Sequence, residues 1–572
     1  MTPPRRKFAA SLAAVATLGF FILAPHAARS AAPLHLPLGG APPAVANEAD
    51  LTGFLDELEA QELMVYEAQA LEGYFQWRGD EPDYVTPFSR FGNDLRNRRD
   101  YAAVIEAWRG KVADTTLARR LEIQHKQFLQ SRADPADVLR LSDVGSALQD
   151  SVNAFRFHIG GESKTLTGLS EILTNEKDRA KRQEAFLAMP QAAQAHTPAI
   201  LECMRLLDRT GREEGFANGA DAGLVQSSLT REQVLHDLNA FEAATRPTMQ
   251  AMVARAHADL GVDRTEPWDI DYWLHLQELS GGNDAWPREP GLQRLNALMK
   301  DLGFNADSLP IDARVWDVPT GGITFPIRPP FESRLLTNPF TGSDFYETLF
   351  HEYGHCLNAV LTDGKLAPAF LLGDETPLSE GVAECLGHFA YDAHWLERTA
   401  GVTPQRAQDL ERVGKMQLLL WLRRSICCNA YFELTAYGNL GMNLDSLYAA
   451  TYRRFVCVDL PAGHYFGYRD MFGTGPFYFQ SYLYANMIAT QLRDAMRAQF
   501  GVSDLSREKR VAGWLTAYFF APGGSVAWPE KIRRATGKPL GTESLARYLA
   551  GAMPAAGPPH GGSPGARGGS GR

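Results

Sequence analysis

Two histidines four positions apart, with a glutamate directly after the first, have the strongest chemical signature in the sequence. They are His351, Glu352 and His355. Four positions is close to one helical turn, so both imidazoles of a helix would project from the same face. Two neutral imidazoles held in this way can occupy two corners of a zinc tetrahedron. Glu352, beside them, is placed to accept a proton from water at such a metal.

A third metal ligand is predicted in residues 376–384, where Pro377 stands at an early helical position that tolerates its missing N–H. Glu380 and Glu384 are four apart and would share one face of this helix. Glu380 would complete a His₂Glu site and leave the fourth position to water. Glu384 would accept the N–H of a ligating imidazole and so orient it. If Glu380 is not the ligand, Glu384 and Glu375 are the next candidates.

A buried helix is predicted around the two histidines. Asp344 and Glu347 are three apart near its start, in the pattern of a capping box. Leu349, Phe350 and Leu357 flank the histidines, so the helix is expected to be buried. Buried imidazoles and carboxylates need a compensating partner, and a metal ion supplies one. The alternative is that the histidines and the acidic pair are surface or core residues that hold no metal.

Most of the remaining periodicity is helical. Apolar residues recur at helical spacing over residues 51–77, 100–150, 166–186, 195–216, 230–260 and 405–436. The exception is residues 313–338, where the alternation of Ile323, Phe325 and Ile327 predicts two or three short strands. Prolines in this region confine those strands to sheet edges. We therefore expect a mainly α fold with a small β-sheet.

The composition limits the classes of function. The chain has 572 residues, of which 45% are hydrophobic and 22% charged, as is typical of a globular protein. The formal net charge is -10, and it falls by four, to -14, without residues 1–30, which carry four basic and no acidic residues. So acidic a chain is not expected to bind nucleic acid. Six cysteines without a C-x-x-C pair argue against a disulfide scaffold or a thiolate zinc site.

Both ends of the chain differ in composition from the rest. Residues 1–32 have the form of a signal peptide, with three basic residues at 5–7, an apolar run over 8–24 and small residues after it. The paired arginines resemble the start of a twin-arginine signal. We expect a periplasmic or secreted protein, with a retained membrane anchor as the alternative. Residues 551–572 are rich in Gly, Pro and Ser and predict a disordered tail.

Around the candidate ligands, the sequence resembles the zinc peptidases of the thimet oligopeptidase and oligoendopeptidase family. Residues 348–355 are similar to that family's metal-binding helix. Glu380 follows His351 by 29 residues, the interval that the family uses for its third ligand. The step from Glu380 to Glu384 is nearer the acid pair of the related angiotensin-converting-enzyme (peptidyl-dipeptidase) family.

The resemblance implies a large bilobal helical metallopeptidase with a deep central channel and a small β-sheet near the zinc site. It implies one peptidase domain over residues 45–550. Within that domain, residues 45–200 would form an N-terminal helical lobe and residues 201–550 a catalytic lobe. Residues 323–338 would offer a strand edge to a bound peptide.

The resemblance also implies hydrolysis of peptide bonds in short peptides, with one zinc ion as cofactor. Glu352 would take the proton of the water that the zinc activates. Residues 476–482 resemble the aromatic segment that supplies tyrosines to the transition state, so Tyr478 and Tyr482 would donate to the developing oxyanion. The family places a histidine shortly before this segment, whereas this sequence has Met471 there.

Two alternatives to a peptidase remain. A non-catalytic descendant would keep zinc as a stabilising ion in a binding module. A zinc hydrolase of a non-peptide amide would use the same ligands. The sequence also leaves open the oligomeric state and whether cleavage is internal, carboxydipeptidyl or aminopeptidyl. No stable membrane partner is expected unless the signal is retained.

Overall fold

The computed structural model describes residues 44–80, 86–281, 283–318, 321–372, 374–466 and 476–553. Most of these residues are helical and few are in strands, which confirms the predicted mainly α fold. The predicted signal peptide, Met471 and all but the first three residues of the predicted tail lie outside the described residues. Within the described part, no helix is long and apolar enough to span a membrane.

Twelve α-helices of the described chain precede the main sheet. They are α1 (Glu48–Trp77), α2 (Thr86–Arg96), α3 (Arg99–Trp108), α4 (Thr115–Gln127), α5 (Pro135–Ala154), α6 (Leu166–Asn175), α7 (Arg179–Ala188), α8 (Pro190–Glu213), α9 (Gly219–Val225), α10 (Arg231–Leu260), α11 (Pro267–Gly281) and α12 (Gly291–Asp301). Helices α1 to α4 bury an apolar cluster of their own, which includes Leu51, Phe54 and Leu121. The helical segments predicted before residue 261 are confirmed.

Five short strands form two sheets in the described residues. A hairpin of β1 (Phe157–Ile159) and β2 (Glu162–Lys164) was not predicted, because three-residue strands are too short to show a period of two. The main sheet contains β3 (Ile311–Val315), β4 (Gly322–Arg328) and β5 (Glu332–Thr337) in the order β3-β5-β4. Strand β3 is parallel to β5 and β4 is antiparallel to it. The predicted strands are confirmed, and β4, which contains Pro326, is an edge strand. The prediction that all of these strands lie at sheet edges is wrong for β5, which contains no proline and pairs on both sides.

The helices after the sheet contain the predicted site residues except Tyr478, which directly precedes α20. They are α13 (Ser343–Val360), α14 (Pro368–Leu371), α15 (Thr376–Gly387), α16 (Ala393–Ala400), α17 (Pro404–Trp421), α18 (Cys428–Ala436), α19 (Leu444–Val456), α20 (Phe479–Phe500), α21 (Arg510–Leu515), α22 (Trp528–Thr536) and α23 (Glu543–Ala550). A π-helical segment, Leu422–Cys427, joins α17 to α18. The main apolar core extends to Ala552, which is fully buried. The division into lobes stays a prediction.

Helix α15 packs against both α13 and α20, and glycines permit this close approach. A Cβ on Gly354 of α13 would lie 2.8 Å from the Cα of Ala383 on α15. A Cβ on Gly381 of α15 would lie 2.7 Å from the Cβ of Ile488 on α20. Since neither distance leaves room for a methyl group, these glycines set how closely the three helices pack.

The predicted capping box at the start of α13 is wrong. The helix begins at Ser343, and its N-cap residue is Gly342, which has no side chain to accept a hydrogen bond. Asp344 therefore lies inside the first turn instead of at the N-cap position. Glu347 is placed deeper, where its carboxylate lies near the side chains of His351 and Glu384.

Candidate metal centre

The three predicted metal ligands converge at one point. His351 and His355 lie on successive turns of α13, with their Nε2 atoms 3.1 Å apart. Oε2 of Glu380, on α15, lies 3.4 Å from Nε2 of His351 and 3.8 Å from Nε2 of His355. All three side chains are buried. The packing of α13 on α15 thus brings together candidate ligands up to 29 residues apart in sequence.

These three donor atoms fit a single zinc ion. Bonds of about 2.0–2.2 Å at tetrahedral angles place neighbouring ligand atoms about 3.3–3.6 Å apart. The three observed separations, from 3.1 to 3.8 Å, bracket that range. Two imidazoles and one carboxylate are also the ligand set of catalytic zinc sites that keep one position open.

The electrostatics of the site favour a bound cation. Burial raises the pKa of Glu352 to about 7 and that of Glu384 to about 8. Burial alone would lower the pKa of His351, but the neighbouring carboxylates, first that of Glu380, raise it to about 10. Burial lowers the pKa of His355 to about 4. A divalent cation would compensate the acidic groups that burial otherwise destabilises.

A second group of acidic residues lies behind His351. Ligand atoms of Glu347, His351 and Glu384 all lie within 4.8 Å of one another. Oε1 of Glu384 is 3.9 Å from Nδ1 of His351, which is too long for a hydrogen bond. Oε2 of Glu384 lies 3.6 Å from Nε2 of His388. The same nitrogen forms a hydrogen bond of 3.0 Å with Oδ1 of Asn486. Glu384 thus lies near His351, but the predicted hydrogen bond to its imidazole is not formed.

The second histidine has a closer partner that the sequence analysis did not identify. Nδ1 of His355 lies 3.1 Å from Oγ of Ser379, the residue directly before Glu380. If Nε2 binds a metal, Nδ1 carries the proton and donates it to this hydroxyl. Ser379 therefore fixes the tautomer and the orientation of the His355 ring.

Strand β4 holds the predicted proton acceptor. Oγ1 of Thr324 lies 2.8 Å from both the backbone oxygen and Oε2 of Glu352. A Cβ on Gly322 would lie 2.8 Å from Cγ of Glu352, so the strand backbone passes directly beside this side chain. The carboxylate of Glu352 is not part of the cluster that His351, His355 and Glu380 form. Its carboxylate is thus held separately from the candidate metal.

The two predicted tyrosines reach the site in different ways. Tyr478 directly precedes α20, and its hydroxyl donates to Oε1 of Glu380 at 3.1 Å. Tyr482 lies on the first turn of α20, with its ring centroid 5.5 Å from that of Tyr478 and 5.2 Å from that of Trp421. Burial raises the pKa of Tyr482 well above its ordinary value. Tyr478 therefore contacts a candidate ligand, and Tyr482 packs behind it.

The segment that leads into α15 is fixed by ion pairs on two sides. Oδ1 of Asp374 accepts from the buried ammonium of Lys531 at 2.6 Å. Oε1 of Glu375 accepts from Lys126 at 2.9 Å and from Ser228 at 3.0 Å. Glu375, the other candidate ligand, is thus engaged by α4 and the loop after α9. These contacts fix the start of the helix that carries Glu380.

Thr324 and Ser379 were missed because their roles depend on contacts between distant segments. Thr324 interrupts an apolar strand, which is the one local signal that it faces a different partner from Ile323 and Phe325. For Ser379, the one signal in the sequence was its position directly before the predicted ligand Glu380. A polar residue adjacent to a predicted ligand, or out of phase in an apolar strand, is thus a useful signal.

Comparisons with known proteins bear on the fold. An M32 carboxypeptidase from Deinococcus radiodurans R1 is similar with a TM-score of 0.63 at 17% sequence identity, covering 88% of this chain and 98% of that chain. A second solved structure, described as BsuCP, has a TM-score of 0.60 at 16% identity, covering 87% of this chain and 98% of that chain. No protein-family model and no curated protein matches the chain. At these identities the likeness establishes the helical fold, and the predicted oligopeptidase family stays a prediction.

Replacing a ligand should remove bound zinc. We expect His351→Ala, His355→Ala and Glu380→Ala each to reduce zinc to a small fraction of the wild-type stoichiometry, because two donors rarely retain the ion. Metal analysis after dialysis measures the zinc content. Glu162→Ala, which removes an exposed carboxylate on β2, is the control and should keep its zinc. Full zinc in Glu380→Ala would contradict the third-ligand assignment.

Replacing the partner of His355 should weaken zinc binding without abolishing it. Ser379→Ala removes the acceptor of the imidazole N–H, and we expect zinc affinity to fall about 10-fold, as for other outer partners of zinc ligands. Ser379→Thr keeps the hydroxyl and is the control. Competition with a chromophoric chelator measures the affinity. Equal affinities for the Ala variant and the wild type would show that Ser379 does not orient the ligand.

Proposed function

We propose that this protein is a zinc-dependent peptidase that hydrolyses short peptides. One observation carries the proposal: three buried donor atoms converge, and a separate carboxylate, Glu352, is held beside them. His351, His355 and Glu380 would hold the ion. When bound, zinc polarises a carbonyl and makes water at the metal more acidic.

Glu352 has the environment of a general base. Burial raises the pKa of Glu352, which favours uptake of a proton by its carboxylate. Thr324 fixes one of its oxygens, which limits the positions that the carboxylate can adopt. In the proposed reaction Glu352 takes a proton from the attacking water and passes it to the leaving amine.

The substrate would lie between β4 and the tyrosines. Since β4 is an edge strand and Thr324 on it contacts Glu352, a peptide added along β4 would pass the general base. Tyr478, whose hydroxyl already lies at Glu380, would donate to the oxyanion that develops on the scissile carbonyl. Tyr482 is the second candidate for this role.

The mode of cleavage is proposed from the similar structures. One of them is described as a carboxypeptidase, so removal of residues from the carboxyl end is the mode to test before internal cleavage. We further propose that residues 1–32 direct export, so that the enzyme acts on peptides outside the cytoplasm. A binding module without turnover and a hydrolase of non-peptide amides remain the alternatives.

Glu352→Gln should separate metal binding from turnover. Glutamine keeps the size of the side chain but accepts no proton, so we expect unchanged zinc content and a turnover lower by about 10²–10⁴-fold. The assay incubates the zinc-loaded protein with a mixed pool of short peptides and identifies products by mass spectrometry. The ends of the products distinguish carboxypeptidase from internal cleavage.

A chelator-treated sample and a zinc-restored sample are the controls for this assay. Activity should disappear with the chelator and return with zinc. Wild-type rates in Glu352→Gln would refute the mechanism. The absence of any peptide hydrolysis by the zinc-loaded wild type would favour the binding module or the non-peptide hydrolase.

Loss of a tyrosine hydroxyl should affect turnover more than binding. We expect Tyr478→Phe to lower kcat about 10²–10³-fold with little change in KM, because the donor acts mainly in the transition state. Steady-state kinetics on Tyr478→Phe, Tyr482→Phe and the double variant measure the effect, with zinc content checked in each. A double variant within about threefold of the wild type would exclude both hydroxyls.

A further inference from the structure

A buried carboxyl group that the proposed mechanism does not use lies directly behind Tyr478. Glu433, on α18, has only 1% of its surface exposed. Both of its oxygens accept from the backbone N–H of Phe477 at 3.1 Å. Burial raises the pKa of Glu433 to about 8, and the N–H of Phe477 opposes that rise. Burial of a carboxyl group is costly unless its contacts offset that cost, and in the described part of the chain the donor to Glu433 is this backbone N–H.

The residue that Glu433 holds has an unusual backbone conformation. Phe477 has φ of +61°, in the left-handed region that residues with a Cβ rarely adopt. The centroid of its ring lies 4.8 Å from that of Tyr437. A Cβ on Gly223 would lie 2.2 Å from the same ring. The side-chain amide of Gln480 also donates to its carbonyl oxygen. The surroundings therefore fix Phe477 through its N–H, its carbonyl and its ring.

This turn determines the direction of the next side chain. Tyr478 follows Phe477, and its hydroxyl reaches Oε1 of Glu380. If Phe477 relaxed to an ordinary conformation, the chain entering α20 would change direction and carry the Tyr478 hydroxyl away from the site. A displacement of about 1 Å is enough to lower a rate by as much as 10²-fold.

We infer that Glu433 is a positioning residue, which directs the Tyr478 hydroxyl into the site by holding the N–H of Phe477. The catalytic part of this inference rests on the proposed function. The anchoring part does not, since it concerns only the conformation of the turn. The two parts therefore need separate measurements.

Hydrogen exchange tests the anchoring part without turnover or metal. Leucine at position 433 fills a similar volume but accepts no hydrogen bond, so Glu433→Leu should speed exchange in a peptide that covers residues 476–482. Peptides from α13 and α15 should exchange as in the wild type. Glu433→Gln keeps one acceptor oxygen, so the peptide over 476–482 should exchange more slowly in this variant than in Glu433→Leu. Wild-type exchange over 476–482 in Glu433→Leu would overturn the inference.

Kinetics test the catalytic part through non-additivity. We expect Glu433→Leu to lower kcat about 10–100-fold with KM within about twofold and zinc content unchanged, and Glu433→Gln to recover part of the loss. In the Tyr478→Phe background, Glu433→Leu should change kcat by less than about twofold. An equal loss in both backgrounds would overturn the inference, because Glu433 would then act independently of Tyr478.

A second substitution disturbs the same turn from the opposite side. Gly223→Ala would push against the ring of Phe477, so it should also speed exchange over 476–482 and lower kcat only where Tyr478 is present. This variant decides the question if Glu433→Leu fails to fold. If the zinc-loaded wild type hydrolyses no peptide, the proposed function fails, and the exchange measurement alone decides whether Glu433 holds the turn.

Discussion

Several ionisable side chains are buried together where α13 meets α15, and burial of unmatched charge costs free energy. Glu352, Glu380 and Glu384 are each 5% exposed or less, and they surround two buried imidazoles. The acidic groups must hold protons, pair with a protonated His351 or share a bound cation. A bound zinc ion would remove that cost, and because it would bind the folded state alone, it would also stabilise the fold.

The positions of the candidate ligands follow from close helix packing. Gly354 and Gly381 let α15 approach α13 and α20, so that Glu380 lies opposite the histidines. The pair between Asp374 and Lys531 fixes the segment that enters α15. Site residues held by helices and buried contacts keep their geometry better than residues on loops. The same principle explains why the turn before α20 is held by a buried carboxyl group.

Local patterns in the sequence predicted the candidate ligands, but not the hydrogen bonds of Thr324, Ser379 and Glu433 that hold the site residues. The two histidines could be predicted as a pair because one helical turn separates them. Glu380 could be predicted because a second helix begins just before it. Thr324 lies 28 residues from Glu352, and Glu433 lies 44 residues from its partner, so only the tertiary fold brings these contacts together. The capping box failed because Glu347 faces the site instead of the start of the helix. Periodicity predicts which face of a helix is buried, but not which polar groups meet there.

The central claim is that one zinc ion binds to His351, His355 and Glu380. Anomalous X-ray diffraction at the zinc edge, from crystals of the zinc-loaded protein, tests it most directly. The account predicts one strong peak, about 2.0–2.2 Å from Nε2 of both histidines and from the Glu380 carboxylate. A peak on the other side of His351, between Glu347 and Glu384, would contradict it, as would the absence of any peak from protein that hydrolyses peptides.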